Sequence, residues 1–208
     1  MPGVGLQRYT YADYADRVCR LSAALAALGI RKGDRVGTFA WNSHRHMEVY
    51  FAAPLMGMVL HTVNIRLSPQ DITYIVNHAG DQVLIVDASL WHLLEPIRKD
   101  LRSVKHVIVM KDTPTAEIPR ERSTTRRWWP PRSPSPSGRA LEETDAAGMC
   151  YTSGTTGHPK GVVYSHRGCS CTASPRPRWT CWASASATSS CTSSPCSTPT
   201  PGACPSRA

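Results

Sequence analysis

The densest set of groups able to bind phosphate lies in residues 151–167. Gly154, Gly157 and Gly161 permit backbone conformations in which several N–H groups point at one anion. Hydroxyl donors and one amine surround these glycines, contributed by Thr152, Ser153, Thr155, Thr156 and Lys160. The stretch therefore predicts a loop that binds a polyphosphate.

The spacing of this loop differs from that of the Walker loop, whose lysine directly follows a glycine, because Pro159 precedes Lys160. Residues 151–162, Tyr-Thr-Ser-Gly-Thr-Thr-Gly-His-Pro-Lys-Gly-Val, instead closely resemble the ATP-binding signature of the adenylate-forming enzymes, the acyl-CoA synthetases and their relatives. The alternative is a surface turn without a ligand. It is disfavoured because turns rich in glycine and threonine seldom carry a lysine in this register.

Charge and hydropathy exclude several other classes of function. The net charge is +9, but the basic residues are not clustered on a periodic face. Part of the positive charge arises because residues 146–208 contain no Asp or Glu. We therefore predict no nucleic-acid partner. No secretory signal and no run of 18 apolar residues is present, which predicts no transmembrane segment and a cytoplasmic location. The cysteines between Cys169 and Cys204 match no common zinc pattern.

Strands and helices are predicted to alternate in the first half of the chain. Thr10 and Asp13 form a capping box ahead of a helical apolar repeat that ends at Gly29, and Ser68 with Pro69 begins a helix that ends near Gly80. Further helices are predicted at 46–58 and 90–100, and strands at 35–40, 59–63, 83–86 and 106–110. This order predicts an α/β fold of parallel βαβ units, with helices on both faces of the sheet.

The first half of the chain carries the same resemblance. Residues 9–11, 33–36, 51–62 and 67–83 are similar to the N-terminal region of medium- or long-chain fatty-acyl-CoA synthetases. His44, His46 and Glu48 leave two interpretations open, a metal site and a solvated helix start, of which we favour the second. His61 and His78 are interpreted as structural.

The resemblance implies a fold, a reaction and a set of site residues. The fold is an incomplete part of the large N-terminal domain of an adenylate-forming enzyme. The reaction joins a fatty acid to ATP as an acyl-adenylate and then to CoA as a thioester. The phosphates would be held by Thr152, Ser153, Gly154, Thr155, Thr156, Gly157 and Lys160. Thr152 would also bind Mg²⁺, and Lys160 would be the catalytic cation. The partners would be the small molecules fatty acid, ATP and CoA, and oligomerisation is left open.

The composition changes abruptly after residue 167. Residues 168–208 contain no Leu, Ile, Val, Met, Phe, Asp, Glu, Lys, Asn or Gln, so they cannot bury enough apolar surface to offset the entropy of ordering. A natural low-complexity tail and translation in a shifted frame both explain this composition, and the second is favoured. Residues 121–137 have a similar character, for which a genuine Pro/Arg-rich loop is the alternative.

These observations predict four segments and leave three functions open. The segments are the N-terminal α/β part at 1–119, an aberrant or linker segment at 120–139, the phosphate-loop region at 140–167 and a disordered tail at 168–208. The resemblance implies further adenine, ribose and hinge elements that are not found here, so we expect an inactive or barely active fragment of a fatty-acyl-CoA ligase. The alternatives are a non-catalytic nucleotide-binding remnant and a fragment of an enzyme that adenylates aryl or amino acids.

Overall fold

The computed structural model of the protein describes residues 8–110, 140–152 and 157–173, the last three of these in their backbone only. The whole of the predicted linker at 120–139 and most of the predicted tail at 168–208 lie outside these residues. The described strands, and the described helices before residue 166, belong to one compact unit, residues 1–169.

Side-chain caps fix where the helices begin. Helix α1 spans Tyr11–Ala27 and starts with the predicted capping box, in which Asp13 N donates to Thr10 Oγ1 at 3.1 Å and Thr10 N donates to the Asp13 carboxylate at 2.9 Å. Helix α2, His44–Leu55, begins two residues earlier than predicted because Ser43 caps it. Pro54 is tolerated in the last turn of α2.

Helix α3 spans Pro69–Ala79 and confirms the prediction at both ends. Ser68 Oγ accepts from Asp71 N at 3.1 Å, and Gly80 ends the helix in the left-handed conformation at φ 71°. Arg35 completes this end, because its guanidinium donates to Ala79 O at 2.6 Å and to Gly80 O at 3.0 Å.

The predicted helix at 90–100 is divided into three pieces. A 3-10 turn at Ala88–Leu90 leads into the short helix α4, Trp91–Leu94, and a second 3-10 segment follows at Glu95–Asp100. Pro96 explains the change of helix type, since proline has no N–H to donate and its ring clashes with a continuing α-helix.

The structure describes six strands, β1 at Arg35–Phe39, β2 at Val59–Thr62, β3 at Asp81–Asp87, β4 at His106–Met110, β5 at Ala146–Thr152 and β6 at Lys160–Ser165. They form one sheet in the order β4-β3-β1-β2-β5-β6. The first five strands in this order pair in parallel, and the last pair, β5 with β6, is antiparallel. The predicted α/β architecture is confirmed, and the two strands that flank the phosphate loop are an addition to it.

The sheet buries a different apolar cluster on each face. Val83 and Ile85 of β3 pack with α1 and α2, whereas Leu84 and Val86 pack with α3 and α4. This division follows from the two-residue period of a strand, which sends successive side chains to opposite faces. Both faces of the central strands are therefore covered, as parallel sheets require.

The start of the predicted tail differs from expectation. Helix α5 spans His166–Ala173, so residues 168–173 are helical where we predicted disorder. Its first turn is tied to the preceding segment, because His166 N donates to Asp145 O, Arg167 N donates to Glu143 O and Arg167 forms an ion pair with the Glu143 carboxylate at 2.8 Å. Backbone capping therefore offsets the low apolar content of this turn.

Candidate nucleotide-binding loop

The predicted phosphate loop lies at the carboxyl edge of the parallel strands. Strand β5 runs parallel to β2 and ends at Thr152, and β6 returns antiparallel from Lys160. Thr152 and Lys160 are register partners, so the chain from 153 to 159 connects two adjacent strand ends. Ligands of open α/β sheets bind at this edge, which agrees with the role predicted from the motif.

The structure brings Thr152 and Lys160 together. Thr152 Oγ1 donates to the carbonyl oxygen of Lys160 at 3.4 Å, and both side chains are exposed. Among the described residues, the Lys160 amine forms no ion pair. Gly157 is exposed and has φ 141°, a conformation that other residues rarely adopt. Ser153, Gly154, Thr155 and Thr156 lie outside the described residues.

The residues present suit a magnesium ion that arrives with a nucleotide. Mg²⁺ keeps several waters and takes one or two protein oxygens together with phosphate oxygens. Thr152 supplies one exposed hydroxyl oxygen, and the described part of the chain holds no cluster of three or more His, Cys, Asp or Glu that would form a protein cage. Thr152 therefore fits the predicted role as one ligand of a phosphate-bound metal.

Tyr151 anchors the first end of the loop. Its hydroxyl lies 2.6 Å from His78 Nδ1 on α3, and its ring centroid lies 5.2 Å from that of His61. Burial raises the pKa of Tyr151, and the nearby Asp81 carboxylate adds to this effect. Gly161, opposite Tyr151, leaves room for the ring, because a Cβ there would lie 3.2 Å from Tyr151 Cζ.

A buried pair lies beneath this tyrosine. His61 Nδ1 is 2.7 Å from Asp81 Oδ2, and both side chains are fully inaccessible to solvent. The contact passes over Gly37 of the intervening strand β1, where a Cβ would lie 2.8 Å from Asp81 Oδ2. Burial raises the pKa of Asp81, while the hydrogen bond from His61 opposes that change. His61 is structural, as predicted, but its partner was not foreseen because the two residues are distant in sequence.

The other end of the loop also contacts α3. The ring of His158 stacks on Tyr74 with centroids 4.8 Å apart and planes 25° from parallel, and Tyr74 in turn stacks on His78 at 5.3 Å. Tyr74 and His78 are four residues apart and share one helix face. Sequence reasoning did not single out Tyr74 or His158; the helical spacing of Tyr74 and His78 was the available signal.

The interpretation of His46 and Glu48 as a solvated helix start is wrong. Both are buried: His46 Nε2 lies 3.0 Å from Thr38 Oγ1, and Glu48 Oε1 accepts from Arg17 Nε at 2.5 Å. Burial lowers the pKa of His46 and favours its neutral form. Packing of α2 against α1 and the sheet accounts for this burial, and the hydrogen-bond partners identify both residues as structural.

The chain thus has an α/β fold with a hydroxyl- and lysine-bearing hairpin at the carboxyl edge of its parallel strands, the edge at which open α/β sheets bind ligands. The model of the family described as "AMP-binding enzyme" matches residues 4–198, and the chain therefore belongs to this family.

Relatives of the chain include proteins named as acid–CoA ligases. It is 48% identical over 163 residues to a long-chain-fatty-acid–CoA ligase of Thermus thermophilus, covering 78% of this chain and 29% of the relative. It is 42% identical to a 3-methylmercaptopropionyl-CoA ligase of Ruegeria lacuscaerulensis, covering 77% and 30%. The crystal structure of the anthranilate CoA ligase AuaEII with anthranoyl-AMP superposes with a TM-score of 0.71 at 26% identity, covering 77% and 30%. The chain thus spans about 30% of the length of these relatives.

Among the helices that the structure describes, none combines the length and the apolar character needed to cross a membrane.

Proposed function

We propose that the hairpin of β5 and β6 binds the polyphosphate of Mg-ATP for the ligation of a carboxylic acid to CoA. The observation that carries this proposal is the pairing of Thr152 and Lys160 as register partners at the carboxyl edge of the sheet, where both residues are exposed. Because the chain spans about 30% of its relatives, polyphosphate binding is proposed for this chain and the ligation reaction for the family to which it belongs.

The proposed reaction has two steps. A carboxylate oxygen attacks the α-phosphorus of ATP, the bond to the β-phosphate breaks and pyrophosphate leaves, giving an acyl-adenylate. The sulfur of CoA then attacks the acyl carbon, its proton is lost to solvent and AMP leaves. Bound Mg²⁺ supplies charge neutralisation on the phosphates.

The role of the loop follows from where charge develops in the first step. Negative charge accumulates on the departing pyrophosphate, and preorganised donors stabilise it. The Lys160 amine neutralises this charge and the Thr152 hydroxyl orients a phosphate or its metal. The loop residues Ser153, Gly154, Thr155, Thr156 and Gly157 are proposed to hold the β- and γ-phosphates.

A fatty acid is the proposed acid substrate. The relatives take their names from a long-chain fatty acid, a methylmercaptopropionate and an anthranilate, so CoA ligation is common to them while the acid differs. The higher identity to the long-chain ligase favours an aliphatic chain.

We further propose a cytoplasmic location and no nucleic-acid partner.

Product analysis tests the ligation proposal. The 208-residue chain, Mg-ATP, CoA and either a saturated fatty acid or benzoate are incubated together, and AMP and acyl-CoA are separated by chromatography. Because ligation is proposed for the family, the proposal expects the 208-residue chain to bind Mg-ATP and to form little or no AMP or acyl-CoA. The binding should be weakened by Lys160→Ala and unchanged by Lys105→Ala, an exposed lysine away from the loop.

Three other outcomes bear on the function. Thioester formation with benzoate alone would favour an aryl-acid ligase. Thioester formation with the fatty acid would extend the ligation proposal to this chain. Failure of the chain to bind Mg-ATP would contradict the proposal.

A further inference from the structure

One face of α3 contacts both ends of the candidate phosphate loop. His78 is joined to the hydroxyl of Tyr151, the residue just before Thr152, at 2.6 Å. Tyr74 stacks on His158, two residues before Lys160, with ring centroids 4.8 Å apart. The helix therefore touches the chain on both sides of the segment that is proposed to hold phosphate.

The contacts form a continuous series from the core to the surface. Tyr151 lies edge-on to His78, with centroids 5.8 Å apart and planes at 84°, and also packs on His61. His61 is held by Asp81 inside the sheet, where neither side chain is exposed. The outer residues of the series, Tyr74 and His158, are thus connected through His78 and Tyr151 to the buried pair of His61 and Asp81. A series of packed rings of this kind limits the rotation of each member.

The two ends of the loop differ in how they are held. Tyr151 is half-buried and is held by a hydrogen bond to His78 and a ring contact with His61, whereas His158 is exposed and contacts Tyr74. A loop that must present several N–H groups to one anion binds more weakly when its ends can move. In that case binding must also order the loop, and the lost conformational entropy of the loop reduces the affinity.

We propose that Tyr74 and His78 are positioning residues, which hold the two ends of the loop in the arrangement that binds polyphosphate. This proposal rests on the proposed function. Neither residue contacts phosphate; Tyr74 acts through His158, and His78 acts through Tyr151.

Nuclear magnetic resonance of histidine-labelled protein, combined with pyrophosphate titration, tests the proposal on the full chain. A ring stacked on tyrosine experiences an upfield ring-current shift, so the His158 ring protons report the contact directly, assigned with His158→Gln. The variants are Tyr74→Leu, which fills the apolar volume without a ring, Tyr74→Phe, which keeps the ring, and Tyr151→Phe, which removes a single oxygen. Tyr11→Leu, at a residue that is 93% exposed, is the matched control.

The expected pattern separates positioning from general stability. Tyr74→Leu removes the upfield shift of His158 and weakens pyrophosphate binding roughly tenfold, the effect of one lost contact. Tyr74→Phe keeps both properties. Tyr151→Phe weakens binding to a similar degree while the His158 shift remains, and Tyr11→Leu changes neither.

Three results would overturn the proposal. If the His158 shift is absent from the wild-type protein, the stack does not form. If Tyr74→Leu abolishes the shift but binds pyrophosphate normally, the stack does not position the loop. Failure of the wild-type chain to bind pyrophosphate would overturn the proposed function together with this proposal, whereas normal binding by every variant overturns this proposal alone.

Discussion

The pair of His61 and Asp81 depends on a single glycine. The two side chains meet across strand β1, and Gly37 lies between them without a side chain of its own. A polar pair with no access to solvent is stable only while its hydrogen bond is intact, since an unpaired buried group carries the full cost of desolvation. The absence of a side chain at Gly37 therefore allows the contact between Asp81 and His61, the residue against which Tyr151 packs.

Gly37→Ala is expected to destabilise the protein by about 1–3 kcal/mol, because the new methyl group must displace a buried carboxylate. The added Cβ would lie 2.8 Å from Asp81 Oδ2 and 2.9 Å from Leu84 Cδ1. Urea unfolding followed by circular dichroism measures the change. Gly148→Ala is the matched control, since its Cβ would lie 3.8 Å from the nearest atom, Leu60 O, and should cost little. Equal stability of the two variants would contradict this account.

The charge of Asp81 makes stability depend on pH. Burial raises its pKa above the ordinary value of 3.8 in the folded protein, so the folded state holds this proton more tightly than the unfolded state. The resulting contribution to stability is fully present below pH 3.8 and is lost as pH rises through the folded pKa.

Asp81→Asn is expected to remove this dependence while keeping an oxygen that accepts from His61. The wild-type free energy of unfolding, compared with that of the variant, should decline as pH rises from about 4. Unfolding curves recorded at intervals of pH provide the test, with Asp100→Asn, an exposed residue, as control. Parallel pH profiles for wild type and Asp81→Asn would show that the carboxyl group is not perturbed.

At the scale of elements, helix α3 has the clearest link between sequence and site. Ser68, Pro69 and Gly80 set its ends, and Arg35 binds its last carbonyl groups, so Tyr74 and His78 are carried by a helix whose position is fixed at both termini.

Ser68→Ala is expected to cost about 1 kcal/mol, since Asp71 N loses the side-chain acceptor that now lies at 3.1 Å. The loss should appear as a lower midpoint of chemical unfolding. Gln70→Ala, at an exposed position in the first turn, should leave the midpoint nearly unchanged. A Ser68→Ala midpoint equal to that of wild type would show that the cap contributes nothing.

Local signals predicted most of the elements but not the contacts among them. The capping box at Thr10, the glycine at 80 and the strand at His106–Met110 follow from residue type and period alone. The burial of Glu48 depends on Arg17, and that of His61 on Asp81, partners 31 and 20 residues away that only the tertiary fold brings close. The phosphate motif identified Thr152 and Lys160, whereas their placement as register partners required the antiparallel return of β6.

At the scale of the whole molecule, the described sheet ends in an apolar edge. Strand β6 is last in the strand order and exposes Val163 by 56% and Tyr164 by 41%. An edge strand with exposed apolar side chains is a template for pairing with another chain.

Val163→Lys is therefore expected to reduce self-association of the 208-residue chain, because a charged side chain on an edge strand opposes pairing. Sedimentation velocity at several protein concentrations measures the effect. Met47→Lys, also 56% exposed but on α2, controls for the added charge alone. Equal reductions by both variants would assign the effect to net charge and contradict a role for the edge.

The central claim is that the hairpin of Thr152 and Lys160 binds polyphosphate. Isothermal titration calorimetry of the chain with Mg-ATP and with AMP tests it most directly, using wild type, Lys160→Ala and Lys105→Ala. We predict that Mg-ATP binds more tightly than AMP, that Lys160→Ala weakens Mg-ATP binding by roughly tenfold or more without changing AMP binding, and that Lys105→Ala has no effect. Equal affinities of wild type and Lys160→Ala for Mg-ATP would contradict the claim.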